Sequence, residues 1–114
     1  MNSILTSVKK MIGITKEDTS FDDDIIMHIN TVFFILNQLG VGPAEPFTIE
    51  DDLAEWSTFL ESPTKLQLVK TYMKLKVQLL FDPPSNSSIT NAINASLSEL
   101  EFRLHIAVDP KEQV

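Results

Sequence analysis

The chain has 114 residues, 43% hydrophobic and 22% charged, with no cysteine and a formal net charge of −7. One domain of this length buries roughly two-thirds of its unfolded surface without a metal or disulfide staple. The absence of cysteine excludes a disulfide framework, a thiolate nucleophile and a cysteine-ligated metal, and the acidity argues against a broad phosphate-facing surface, which is built from Lys and Arg. No apolar run approaches the ~18 residues of a membrane span. The N-terminus has no apolar core ending in a small-residue cleavage site. The expectation is a soluble, intracellular-type domain with no membrane partner.

The charges are segregated. From Glu17 through Thr64 there are eleven acidic residues and no Lys or Arg, whereas Lys65 to Lys76 holds four lysines and no acid. One stretch of surface is therefore expected to be strongly negative and a later helix partly positive.

In chain order, Ile4, Leu5, Val8, Met11 and Ile12 recur at the period of one helix face, and Gly13 supplies a stop. Next, Phe21, Ile25, Ile29, Val32, Leu36 and Leu39 step 4, 4, 3, 4, 3. Ser20 reads as the cap of this second helix, with Asp22, Asp23 and Asp24 in its first turn and Gly40 at its end. Phe47-Thr48-Ile49 reads as extended, inside a longer loop over 40–52. Asp51 or Asp52 is expected to cap a short helix carrying Leu53, Trp56 and Leu60.

Thr64 to Phe81 is apolar around more than half its circumference, with a main stripe of Leu66, Val69, Tyr72, Met73, Val77 and Leu80. Such a helix is expected at the centre of a bundle and to be the most buried. The last helix starts near Ser87 or Ser88, carries Ile89, Ile93, Leu97, Leu100, Leu104 and Ala107, and stops at Pro110. No pair of adjacent strands is legible. The predicted fold is all-α: a small bundle of four main helices plus one short one. Residues 1–108 form the helical domain and 109–114 a polar tail.

Little here suggests catalysis. Three consecutive helical carboxylates point about 100° apart and do not converge easily on one ion, so Asp22-Asp23-Asp24 reads as dipole-complementing. His28 and His105 lie on different helices, outside any zinc or di-iron spacing. No phosphate loop or nucleophile elbow is present. The expectation is a non-enzyme without metal or cofactor. Lys70 and Lys74 share a face with Gln67 and Gln78, too narrow for a DNA-reading helix.

Two features point outward. Met27 and Phe34 project nearly opposite the second helix's main stripe. This second stripe is either covered by the 40–52 loop and the Trp56 helix or is a subunit interface. Lys76 points into its helix's apolar arc, where an ammonium either snorkels outward or finds a carboxylate.

The order of segments is itself distinctive. Met11-Ile12-Gly13-Ile14 is followed by Thr19-Ser20-Phe21-Asp22 and by a helix running to Leu39-Gly40-Val41-Gly42. Then come Trp56-Ser57-Thr58-Phe59-Leu60, Val69 to Val77, and Leu79-Leu80-Phe81-Asp82-Pro83-Pro84. Over residues 2 to 108 this resembles the small head-tail connector (adaptor) proteins of tailed bacteriophages, found in phages and prophages of Gram-positive bacteria. The resemblance implies a virion protein of the head-tail neck, present in the host cytoplasm during assembly. It implies a homo-oligomeric ring beneath the portal protein that extends the DNA channel and offers a platform to the next head-completion or tail protein. DNA would pass through without sequence-specific binding. It also implies a portal contact by the C-terminal segment, here Phe102, Arg103, His105, Ile106 and Lys111.

The residue pattern agrees with this picture. Glu45, Glu50, Asp51, Asp52 and Glu55 supply a candidate acidic channel-facing or partner surface, since like charge keeps DNA from sticking. A closed ring needs two unlike surfaces, and Met27, Phe34 and Lys76 are the candidate subunit interface. The alternative is a small acidic helical regulator that binds another protein and is not part of the virion.

Overall fold

The computed structural model describes residues 3–108, which form five helices and no strand. These are α1 (Ile4–Met11), α2 (Asp22–Gln38), α3 (Trp56–Phe59), α4 (Pro63–Phe81) and α5 (Ser87–Val108). The all-α bundle expected from periodicity is the observed architecture. The side chain of Ala107, the stop at Pro110 and the tail lie outside the described residues.

Local chemistry sets the helix ends. Ser3 Oγ accepts from the Thr6 amide at the start of α1. At its end the Gly13 amide donates to Lys10 O and the Ile14 amide to Lys9 O, the paired bonds of a Schellman stop. α2 closes with the same pair, Gly40 to Asn37 O and Val41 to Leu36 O. Ser62 caps α4 through the Lys65 amide, with Pro63 as the first helical residue.

Two expected caps are displaced. Ser20 does not cap α2; its amide donates to Asp18 Oδ1, and Phe21 stands at the cap position without a side-chain bond. That bond holds the Asp18 carboxyl below the usual carboxylate range. Asp51 accepts from the Leu53 amide in a tight turn, and Glu55 precedes α3. α5 starts at Ser87, as expected, where Asn86 Oδ1 accepts from the Ser88 and Ile89 amides.

α4 is central, packing against α1, α2 and α5. It is not the most buried helix: four of its residues are buried against five of α2. The core joins Ile4, Val8, Ile29, Val32, Tyr72 and Val77. Phe33, off the sequence-derived stripe, is fully buried in an aromatic cluster with Phe47, Trp56 and Phe59. Phe21, Leu53, Leu80 and Ile89 fall outside the core. Phe21 stacks edge-on against Phe81 at 5.4 Å, which ties the start of α2 to the end of α4.

The segment Phe47-Thr48-Ile49 joins no strand. Asn30 holds it instead, donating to Ile49 O at 3.0 Å and accepting from the Ile49 amide at 2.8 Å. The side chain thus plays the part of a neighbouring strand. Asn37 donates to Pro43 O and Ala44 O higher in the loop. Gly42 adopts φ +91°, and a Cβ there would collide with the Phe59 ring. Only glycine lets the loop close over this cluster.

Candidate functional site

Apolar residues line two open surfaces outside the core. The first lies on α2. Met27 and Phe34 are 62% and 52% exposed, although the 40–52 loop runs beside them. The loop spends its apolar residues on Phe33: Phe47 packs at 5.1 Å from that ring. Met27 and Phe34 therefore line an open cleft of about 390 Å³ whose other wall is Pro46, Phe47 and Thr48. Asp23, one turn before Met27, and Glu45, beside Pro46, are exposed next to this cleft.

The second surface runs between α4 and α5. Leu68, Thr71, Leu75, Ser96 and Leu100 line a groove of about 480 Å³. It continues toward Phe102 and Ile106, which are 64% and 48% exposed. Arg103 and Glu99 form an exposed pair across one turn at 2.7 Å along its wall. Among its described side chains α5 contributes Leu97 and Leu104 to the deep core, and most of the others are exposed. Buried Tyr72 fixes α5 to α4 by donating to Glu101 Oε2 at 2.6 Å. Burial, then the Glu101 carboxylate, pushes the phenol well above its ordinary range.

The five acids of the loop, Glu45, Glu50, Asp51, Asp52 and Glu55, are all exposed. Arg103 and His105 are exposed as well, and Lys111 lies outside the described residues. Lys76 is half-buried, with no carboxylate at ion-pair distance among the described residues. Lys70 sits 5.7 Å from the Trp56 ring centroid, so that cation rests on an aromatic face. The Trp56 indole itself donates to Ser7 Oγ at 2.7 Å.

The buried lysine is Lys9, which periodicity did not single out. It is 3% exposed, lies 2.8 Å from Asp22 Oδ1 and donates to Lys16 O. Asp22 Oδ1 accepts no aligned hydrogen bond among the described residues, so the contact is held by charge. Of the three first-turn aspartates, Asp22 turns inward, while Asp23 and Asp24 face solvent. Among the described residues no three histidine or carboxylate groups are grouped to hold a metal, and no helix is long and apolar enough to cross a membrane.

Comparison with protein families matches residues 4–111 to the family described as Phage connector protein. The chain belongs to the phage connector family. The match runs from the start of α1 past the end of α5, so it takes in both apolar surfaces of this connector. Membership gives the connector a structural role in the phage particle, among the other head and tail proteins. The family is not known for enzymatic activity. No curated protein and no solved structure matches the connector.

Proposed function

We propose that this connector assembles as a ring beneath the portal after DNA packaging, extends the DNA channel and carries the next head-completion or tail protein. The observation that carries this reading is the family match across residues 4–111. Two features of the subunit support it. A ring is built from head-to-tail contacts, which join unlike surfaces, and the subunit has an acidic-edged cleft on α2 and a separate apolar groove along α4 and α5. The loop acids stand free in solvent, where a ring can turn them toward the channel or a partner. Repulsion then keeps passing DNA mobile. The exposed C-terminal part of α5, with Phe102, Arg103, His105 and Ile106, is the surface assigned to the portal.

The test is electron microscopy of purified particles with the subunit located by a tag. Density for the subunit at the neck, in a closed ring against the portal, is the expected result. A chain missing from purified virions and recovered instead on a non-structural protein would make it a regulator.

A further inference from the structure

The two apolar surfaces differ in charge as well as in shape. The cleft on α2 lies within the stretch Glu17–Thr64, which has eleven acids and no Lys or Arg; Asp23, one turn before Met27, and Glu45, next to Pro46 in the chain, are exposed. The groove on α4 and α5 lies in the stretch from Lys65 to Val108, which has five Lys and Arg residues against three acidic. Glu99 and Arg103 neutralise each other on the groove wall. Lys65 and Lys74 are each one turn from a groove residue (Leu68 and Thr71), on a helix that holds no acid from Lys65 to Phe81. An acid-edged surface facing a second copy of itself is repelled, whereas the same surface facing a lysine-edged groove is attracted.

Resting on the ring reading above, we propose that the Met27–Phe34 cleft of one subunit docks on the Leu68–Leu75–Leu100 groove of the next. The contact is heterologous, joining α2 and its loop to the α4–α5 pair. Met27 and Phe34 fill the groove, Asp23 and Glu45 face the lysines at its edge, and each subunit keeps one cleft and one groove for its two neighbours. Phe102 and Ile106, further along α5, stay outside this contact.

The absence of native cysteine makes the pairing directly readable. Thr31 borders the cleft and Ser96 borders the groove, and both side chains are exposed. Particles assembled with the full-length Thr31→Cys/Ser96→Cys chain are treated with a short bismaleimide. A ladder of subunit multimers is expected from the double variant, and none from either single variant. Adding Asp23→Lys is expected to cut the ladder several-fold, and Lys74→Glu on top of it to restore part of the yield. A cross-linked dimer from Thr31→Cys alone or Ser96→Cys alone would mean like faces meet, and would overturn the pairing. So would an unlinked double variant that still occupies the neck, an outcome that leaves the connector reading intact. Absence of the unmodified chain from the neck would instead overturn the connector reading itself. Circular dichroism of each variant separates these results from misfolding.

Discussion

The Lys9 ammonium and the Asp22 carboxylate, 2.8 Å apart, join the last turn of α1 to the first turn of α2. Lys9 also donates to Lys16 O, so one side chain fixes both the connection between the helices and the entry to α2. Removing one partner of such a pair leaves the other charge without compensation, and the partial exposure of Asp22 limits the cost. Lys9→Met is expected to destabilise the fold by about 1–3 kcal/mol. Thermal unfolding should register this as a drop of roughly 4–8 °C per kcal/mol. Lys9→Met combined with Asp22→Leu should recover most of the loss, because the orphaned carboxylate is then gone.

Gly13 and Gly42 share nearly the same backbone, φ +90° and +91°, but not the same surroundings. A Cβ on Gly13 meets open space, whereas one on Gly42 collides with the Phe59 ring. Gly13→Ala should cost about 1–2 kcal/mol, the left-handed penalty alone. Gly42→Ala adds overpacking of about 1–3 kcal/mol. Denaturant titration of the two variants checks the order. Equal losses would show that the loop over 40–52 yields freely around Phe59.

Tyr72 gives the fold an alkaline limit. Its pKa is raised in the folded state, by burial first and Glu101 second, while the unfolded phenol ionises near 10. Above that pH the unfolded chain binds fewer protons than the folded one, so stability falls as pH rises. Tyr72→Phe should cost about 1–2 kcal/mol at neutral pH through the lost hydrogen bond to Glu101. The gap between wild type and Tyr72→Phe should then narrow above pH ~10. A gap that stays constant to higher pH would mean the phenol ionises in place.

Phe33 and Phe34 are neighbours in sequence with opposite roles. Phe33 is fully buried, and Phe34 is 52% exposed beside the α2 cleft. Phe33→Ala should cost about 3–5 kcal/mol. Phe34→Asp should leave the circular dichroism spectrum unchanged and remove the ring from the neck in particle micrographs. Normal rings with Phe34→Asp would show that this face is not between subunits.

Period and punctuation were enough to read five helices, their order and their breaks. The reason is local: a 3.6-residue apolar repeat and a glycine or proline stop act within a few residues of themselves. The core of α1 and most of that of α2 were legible for the same reason, and so was the outward face of Met27 and Phe34. Cap identities were less legible. Ser20 is drawn into a turn by donating its amide to Asp18 Oδ1, and Phe21 is left at the cap position of α2 without a side-chain bond.

What only the tertiary structure decided is which side chains meet across sequence distance. Phe33 enters the core because the loop brings Phe47 and Trp56 to that side of α2. Asn30 becomes a mock strand only once Ile49 is beside it. Lys9 is buried because the chain turns at Gly13 and returns Asp22 to it, while Lys76, the lysine the helical wheel makes suspicious, keeps a partly open position. The charge segregation is written in the sequence, but its separation onto an α2 cleft and an α4–α5 groove is set by packing. Helix periodicity fixes one face of one element. Which second element covers that face depends on contacts between residues far apart in the chain, and no local pattern encodes them.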